Sequence, residues 1–367
     1  MKGIFMTKNN PIISTWQIFS VLLLTRLLSI LTFVPLFTKG LNTSDYLMAV
    51  LISTMIILIA SLPLYYQYKK YKNKSIIDIS EESSTIFSKV VAVSYALLFI
   101  FYALTSASRM NLFVETITLP TSSGNLFIVF SVILACYGAM LGLEAISRSG
   151  SISFVIFCFA FGVIMFTMIN KIDMNNFSPV FYNAISPSFD AGFKIAANTV
   201  EIPIMAIILT KVKGNKVKGY FAWLIAFCLI SFIIFFVTIG GIGEFGFTQL
   251  FPIHSVAVLS EFSLLERLDV LLTGVWILSA FIKMCLLLYL QGDILSNAFG
   301  KSHKKMFIIG AGAIIIITHL IFSKSITKST MLLSDVIKVV LFIAFALIIP
   351  ISVLSINKIC LRKRVNK

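Results

Sequence analysis

Long runs of apolar residues recur along the whole chain, and they constrain its fold more than any other feature. Ten runs are candidate membrane spans, at residues 16–37, 46–66, 90–117, 126–143, 151–169, 189–210, 220–240, 266–291, 306–322 and 333–356. A helix needs about 20 apolar residues to cross a hydrocarbon core about 30 Å thick. Stretches such as 225–236 and 311–318 are almost continuously apolar, whereas the strands of a membrane barrel alternate apolar and polar residues. The sequence therefore predicts an all-α polytopic protein with about ten transmembrane helices in one membrane domain, residues 1–367.

The composition excludes an ordinary soluble enzyme. The chain is 58% hydrophobic and 12% charged, whereas soluble domains are about 25% charged. No nucleophile elbow, P-loop, HExxH or glycine-rich nucleotide fingerprint occurs in the sequence. Five cysteines show no metal-ligand spacing, and three histidines are too few for a metal site. We therefore expect no enzyme activity, no metal and no cofactor.

The distribution of basic residues predicts the orientation of the chain in the membrane. Its formal net charge is +15, from 30 Lys and Arg against 15 Asp and Glu. Twenty of these cations fall in one set of loops and termini, which includes a basic tail at 358–367, six fall in the opposite set, and four lie inside spans. The side richer in Lys and Arg is cytoplasmic, so both termini are predicted to be cytoplasmic, which requires an even number of spans. The same cations attract anionic lipid head groups of the bilayer, so no nucleic-acid partner is needed to explain them.

Ionisable residues inside the spans are the candidates for function, because each costs several kcal/mol unless it is paired or hydrated. Five of them are Arg26 in the first span, Arg109 and Glu115 in the third, Glu201 in the sixth and Lys283 in the eighth. Arg109 and Glu115 are candidates for an ion or proton path. Glu144 and Arg148 are spaced i,i+4 near the end of the fourth span and predict a helix-end salt bridge.

The sixth span carries the most informative polar segment, AANTVEIP at residues 196–203. Pro203 removes a backbone hydrogen bond, and the side chains of Asn198 and Thr199 compete with the helical ladder. Membrane transporters bind ligands and ions at such interruptions. An interrupted helix with a ligand site and a simple proline kink with Glu201 paired to a neighbouring cation both fit these residues.

Two further segments are weaker indicators. Lys283 lies deep in the eighth span, where its ammonium needs a carboxylate, carbonyl groups or water; snorkelling towards an interface is the alternative. The non-cytoplasmic connection at residues 240–265 begins with a glycine-rich run and contains Pro252. It predicts either a short re-entrant or surface helix pair or a plain flexible loop.

Three motifs, taken in order, resemble the spore germination permease family. They are STWQIFSVLLLTRLLSILTFVP at 14–35, YGAMLGLEAISRSG at 137–150 and LLERLDVLLTGVWILSAFIK at 264–283. Members of this family are the membrane-embedded B subunits of nutrient germinant receptors, and they are similar to the amino acid–polyamine–organocation transporters. The resemblance implies a LeuT-like fold with two inverted five-helix repeats, here residues 10–170 and 186–357, and interrupted first and sixth helices.

The same resemblance implies where a ligand binds. Backbone groups of Leu28, Ser29 and Ile30 in the first span, and of Ala197, Asn198 and Thr199 in the sixth, would receive the carboxylate and amine of a small nutrient such as an amino acid. Glu201 matches a glutamate that is common in the family, and Lys283 matches its usual polar position after the tryptophan. These two residues would form a charge pair that ties the sixth helix to the eighth, or that replaces a coupling cation. Relatives often carry glycines where this chain has residues 28–30, and this chain has none there.

Three functions are consistent with these features. The resemblance favours a germinant-sensing subunit in the spore inner membrane that signals to A-type and C-type receptor subunits. An active amino-acid or ion transporter, coupled to protons or sodium, is the first alternative. A scaffold that binds no ligand and holds its partner subunits is the second.

Overall fold

Helices make up nearly all of the structure. The computed structural model describes residues 12–31, 45–71, 74–118, 124–178, 185–260, 268–322 and 334–365. The helices of the first half are α1 (Thr15–Leu31), α2 (Asp45–Ala60), α3 (Leu62–Lys70), α4 (Ile76–Ser83), α5 (Thr85–Phe113), α6 (Asn125–Leu141) and α7 (Leu143–Met168). Those of the second half are α8 (Ile185–Ala197), α9 (Glu201–Ile208), α10 (Lys216–Ile242), α11 (Pro252–Leu259), α12 (Asp269–Phe299), α13 (Lys304–Phe322), α14 (Asp335–Ile343) and α15 (Ile349–Val365). Single π-helical turns extend α5 over Val114–Thr118 and join α14 to α15 over Ala344–Ile348.

Apolar helices lie at all ten positions where the sequence predicts spans. Among the described residues, eight of these helical segments are long and apolar enough to cross a membrane. The other two, α1 and α6, have 17 residues each, which is about 26 Å of helix. The predicted end of the first span, residues 32–37, lies outside the described residues. The prediction of a polytopic helical membrane protein is therefore confirmed.

The boundary between the fourth and fifth helices differs from the prediction. Gly142 has φ 97° and ψ 173°, a conformation that is essentially restricted to glycine, and it separates α6 from α7. The fifth helix therefore begins at Leu143 and not near residue 151. Glu144 and Arg148 lie in its first turns, where they form the predicted i,i+4 ion pair at 2.5 Å, exposed on the surface.

The first helix is continuous where an interruption was expected. Residues Leu28, Ser29 and Ile30 are helical, and α1 extends to Leu31, the last described residue before 45. The predicted interruption at 28–30 is therefore wrong. Without glycine, these three residues have no cheap route out of the helical conformation.

The sixth predicted span is interrupted as expected. Helix α8 ends at Ala197, residues 198–200 are not helical, and α9 begins at Glu201. Pro203 lies in the first turn of α9. Because the first N–H groups of a helix have no partner within it, a proline here loses no hydrogen bond. Pro203 therefore marks the start of a new half-helix and does not kink a continuous one.

Helix α12 lies at the centre of the bundle, where it packs against α5, α1, α6, α7 and α13. Helix α8 packs against α2 and α14. Helix α9 packs against α1, α3 and α4. Large apolar side chains such as Ile86, Leu126 and Phe159 are exposed on the outside of the bundle, which is typical of faces in contact with lipid. The interruption between α8 and α9 therefore lies inside the protein, where non-helical backbone is tolerated at membrane depth.

A short pair of parallel strands joins the start of α1 to the segment after α9. Strand β1 (Ile13–Ser14) pairs in parallel with β2 (Val212–Lys213), with Ile13 opposite Val212. This pairing fixes the start of α1 beside the segment that follows α9, and it was not predicted from the sequence.

In the connection at 240–265, a 3-10 helix (Gly243–Thr248) precedes α11, so the helix-pair prediction is confirmed for the part that the structure describes.

Candidate functional site

The interruption of the sixth span is stabilised first by its own side chains. The Asn198 side-chain amide donates to the Lys194 carbonyl at 3.0 Å, and the Thr199 backbone N–H donates to the Ala196 carbonyl at 2.9 Å. These are two of the four carbonyls that the end of a helix leaves without helical partners. The side-chain oxygen of Asn198, Oδ1, accepts from Arg109 Nη2 at 2.8 Å. Asn198 thus closes the end of α8 and attaches it to α5.

Side chains from α1 and α5 satisfy the remaining carbonyls at the end of α8. Arg26 Nη2 donates to the Ile195 carbonyl at 2.8 Å, and the Tyr102 hydroxyl donates to the Ala197 carbonyl at 3.2 Å. The carbonyl end of a helix carries partial negative charge, so a guanidinium is favourable there. Three helices of the bundle, α1, α5 and α8, therefore meet at the interruption through hydrogen bonds.

Glu201 occupies the first position of α9 and is completely buried. The amino end of a helix carries partial positive charge, which favours a carboxylate. Its neighbour Val200 has no side chain that can cap the helix, but the Val200 carbonyl accepts the Ile204 N–H at 3.1 Å. Glu201 thereby places a carboxyl group at the centre of the bundle.

Thr25 connects Glu201 to Lys283. The Thr25 hydroxyl lies 3.0 Å from Glu201 Oε1, and Lys283 Nζ donates to the Thr25 carbonyl at 3.0 Å and to the Ser29 hydroxyl at 3.4 Å. Within the described part of the chain, Glu201 and Lys283 form no direct ion pair. The expected direct contact between α9 and α12 is therefore corrected to a link through α1.

Arg26 is a central residue of the site, although it was not among the predicted ligand residues. Its side chain is 1% exposed, and its guanidinium lies 4.5 Å from the centre of the Phe227 ring. Its Nε and Nη1 atoms have no hydrogen-bond partner among the described residues. A charged residue inside the first span was the available signal, but its partners on α8 and α10 are distant in sequence.

A small cavity lies between the first helix and the interruption. Its solvent-accessible interior is about 20 Å³, roughly the room that one water molecule needs. Its lining residues come from α1, the end of α8 and α10, namely Arg26, Ser29, Ile30, Ile195, Asn198, Ser231 and Phe235.

The six predicted ligand residues divide into two groups. Ser29, Ile30 and Asn198 line this cavity. Leu28, Ala197 and Thr199 are buried, at 1% exposure or less, but are not part of its lining. Because residues 28–30 are helical, their backbone N–H groups point along α1 and not towards a ligand beside it.

The structure separates the two residues of the expected ion or proton path. Arg109 donates to Asn198 at the interruption. Glu115 lies in the π-helical turn after α5 and accepts from the Gly124 N–H at 3.0 Å. Arg109 belongs to the central site, whereas Glu115 holds the connection between α5 and α6.

An aromatic cluster closes the bundle at the carboxyl end of α5. Phe113 stacks on Trp276 with ring centres 4.3 Å apart, and it makes edge contacts with Phe251 at 5.0 Å and His254 at 5.8 Å. Burial lowers the pKa of His254 below its usual value, and the charge of Asp269 partly opposes this. His254 is therefore neutral near pH 7, in keeping with its apolar neighbours.

A charged cluster closes the opposite end. Asp293 on α12 forms ion pairs with Lys211, which follows α9, and with Lys304 on α13 at 2.7 Å. Both ammonium groups also lie over the ring of Tyr289. A second cavity of about 100 Å³ lies beside this cluster. The two clusters thus join α12 to different helices near its two ends.

Comparisons with known proteins agree with this architecture. A sequence model of the family described as "Spore germination protein" matches residues 12–327. A protein of Bacillus subtilis (strain 168), named as a candidate spore germination protein, YfkT, is 22% identical over 302 residues, which are 79% of this chain and 80% of that protein.

Two solved structures share the fold. Mhp1, a nucleobase-cation-symport-1 family transporter in a closed conformation with bromovinylhydantoin bound, has a TM-score of 0.62 at 13% identity, over 90% of this chain and 77% of its own. A Na⁺-coupled sialic acid symporter, in a substrate-bound outward-open state, has a TM-score of 0.60 at 13% identity, over 91% and 78%. The chain therefore has the LeuT fold of membrane transporters.

Proposed function

Because the chain belongs to the spore germination protein family, we propose that it is the nutrient-sensing membrane subunit of a spore germinant receptor. In this role, a small molecule such as an amino acid binds between α1 and the interruption at residues 198–200. The observation that carries the proposal is this interruption itself, with a small cavity against it that Arg26, Ser29 and Asn198 help to line, and with the buried charged residues Arg26, Glu201 and Lys283 around it. Half-helix ends at membrane depth are where proteins of this architecture bind small ligands.

The size of the cavity supports a conformational signal. Binding pockets for small molecules usually have volumes of hundreds of Å³, far above the 20 Å³ of this site. A ligand therefore binds a more open arrangement than the one described here and shifts the equilibrium by its differential affinity for the two. The aromatic cluster around Phe113 and the ion pairs of Asp293 are the contacts that differ between such arrangements.

Lys283 supports sensing without a coupled cation. Its ammonium is bonded to a carbonyl and a hydroxyl oxygen of α1, and oxygens of this kind bind Na⁺ in transporters with interrupted helices. A covalently attached cation at this position remains in place when the ligand leaves. In this proposal, Lys283 replaces a coupling ion and holds α12 against α1.

An active transporter is the second candidate, and the fold favours it. Both solved structures named above are symporters with a bound ligand. In that case Glu201, which is buried at the centre, or Glu115 would carry a proton. A scaffold without a ligand is the third candidate, and the buried charges around the interruption are unnecessary for it.

The partners and location follow from the proposed role. A-type and C-type receptor subunits would receive the signal in the spore inner membrane. The predicted orientation, with both termini in the cytoplasm, rests on the twenty cations in one set of loops and termini against six in the other.

The test is nutrient-triggered germination of spores that carry Glu201→Gln or Lys283→Ala. We expect either substitution to reduce germination in a mixture of the twenty amino acids at least tenfold, while receptor assembly is retained. Glu144→Gln is the matched control, because Glu144 is an exposed acidic residue outside the site, and it should germinate normally. Unchanged germination of the two site variants in assembled receptors would contradict the proposal. Uptake of labelled amino acids by liposomes that contain only this chain would favour the transporter.

A further inference from the structure

The centre of the bundle contains more positive than negative charge. Arg26, Arg109 and Lys283 all reach the region around the interruption, through the Ile195 carbonyl, Asn198 and α1 respectively. Among the described residues, Glu201 is the only carboxylate bonded to this network. Three cations thus face one anion.

Neighbouring groups do not remove this excess. Two further carboxylates on the neighbouring helices are already paired with lysines, Asp335 on α14 with Lys338 at 3.3 Å and Asp190 on α8 with Lys194 at 2.6 Å, so these charges cancel. The partial charges of the two half-helix ends have opposite signs and similar size, so the end of α8 and the start of α9 also cancel.

Loss of the Lys283 proton would reduce the excess of positive charge but would not remove it. A buried lysine can release its proton, which would neutralise Lys283. An arginine guanidinium stays protonated in proteins. Arg26 and Arg109 therefore still exceed the single charge of Glu201.

Arg26 shows where an anion would be recognised. It lines the cavity and is 1% exposed, and its Nε and Nη1 have no partner among the described residues. A buried donor without a partner is costly, and a guanidinium is well suited to a carboxylate. Asn198 and Ser29 add further polar groups to the same lining.

We infer that the ligand of this site is a small organic anion whose carboxylate groups outnumber its ammonium groups, and that Arg26 binds one of these carboxylates. This inference rests on the proposed function, since it assigns the chemical class of the ligand to the site described there. An acidic amino acid or a short dicarboxylic acid neutralises the excess charge. A neutral zwitterion leaves it unchanged, and an amine increases it.

The test measures ligand-induced stabilisation of the purified full-length chain. The probes are L-aspartate, succinate, L-alanine, putrescine and chloride, each titrated against the unfolding midpoint in one detergent. We expect L-aspartate or succinate to raise the midpoint, with an affinity at least tenfold higher than that of L-alanine and no effect of putrescine. Arg26→Gln should weaken binding of the acid at least tenfold, and Arg26→Lys, which keeps the charge, should weaken it less. Arg148→Gln, which changes an exposed arginine in α7, should bind as the wild type does.

Each other outcome identifies what is wrong. If L-alanine or putrescine binds and the acids do not, the proposed function stands and the anionic class is wrong. If chloride alone reproduces the effect of the acids, the site takes an inorganic anion and the organic carboxylate is wrong. If none of the five probes shifts the midpoint, both the ligand class and the proposed binding role are contradicted.

Discussion

The charge balance at the interruption predicts an asymmetry between two substitutions that both remove a buried charge. Glu201→Gln removes the only carboxylate bonded to the network within the described residues and raises the excess from two positive charges to three. Lys283→Met removes a cation and lowers the excess to one. The double variant returns to two, as in the wild type. We therefore expect Glu201→Gln to be the most destabilising of the three.

The structure gives the size of each effect. The Glu201→Gln substitution keeps the shape of the side chain, and the new amide oxygen can still accept from the Thr25 hydroxyl, so the loss is that of one buried counter-charge, about 3–5 kcal/mol. Lys283→Met loses a 3.0 Å hydrogen bond to a carbonyl and a longer one of 3.4 Å. A hydrogen bond to a charged group contributes about 1.5–3 kcal/mol, and removal of a buried cation offsets part of that loss, so we expect a net cost of about 2 kcal/mol or less.

The unfolding midpoint of purified protein, followed by tryptophan fluorescence in one detergent, measures this ranking. The expected order of decreasing stability is wild type, then Lys283→Met and the double variant, then Glu201→Gln. If Glu201→Gln is as stable as the wild type, the buried carboxylate does not offset the neighbouring cations, and the predicted ranking is refuted. If Lys283→Met is the least stable variant, the positive excess does not exist, and the charge count given above is refuted.

Two further predictions concern regions away from the site. Gly142→Ala should destabilise the protein by about 1–3 kcal/mol, because any other residue is strained at the positive φ of Gly142. The strain is purely conformational, since the added Cβ would meet no atom within 4 Å. The control is Gly162→Ala in helix α7, where an added Cβ also meets no atom, and it should stabilise the protein by up to about 1 kcal/mol. Both are read as unfolding midpoints, and equal effects would contradict the prediction. For His254, burial lowers the pKa of the folded protein below the unfolded value of 6.5, so the unfolded chain binds more protons and stability falls as the pH drops below about 6.5. The midpoint between pH 8 and pH 5 should therefore decline less in His254→Gln, and parallel profiles would contradict this.

The sequence was sufficient for the helices because membrane spans are specified locally. Each apolar run carries its own signal, and so does the interruption at 196–203, where proline, asparagine and threonine all weaken helical hydrogen bonding. Boundaries were less predictable. Helix α12 continues to Phe299, eight residues beyond the predicted end at 291, because its polar residues at that end, such as Asp293, are satisfied by lysines of other helices.

The contacts of the site could not be predicted, because they join residues far apart in the chain. Thr25 and Glu201 are 176 residues apart, and Thr25 and Lys283 are 258 apart. A charge inside a span indicates that a partner exists, but several partners are compatible with the same sequence. The direct Glu201–Lys283 pair was the simplest choice among them, and the structure instead places a threonine between the two.

Helix α1 contains no glycine, and it contributes different chemical groups to the site than helix α8 does. Helix α8 offers backbone carbonyls at its end, and Arg26 and Tyr102 bind two of them. Helix α1 contributes mainly side chains, since Thr25, Arg26 and Ser29 reach the network from an intact helical turn. A helix that contributes side chains needs no interruption at that point, because residues spaced three or four apart already share a face. The residues at 28–30 can therefore remain helical, and recognition at α1 depends on the identity of its side chains, above all the guanidinium of Arg26.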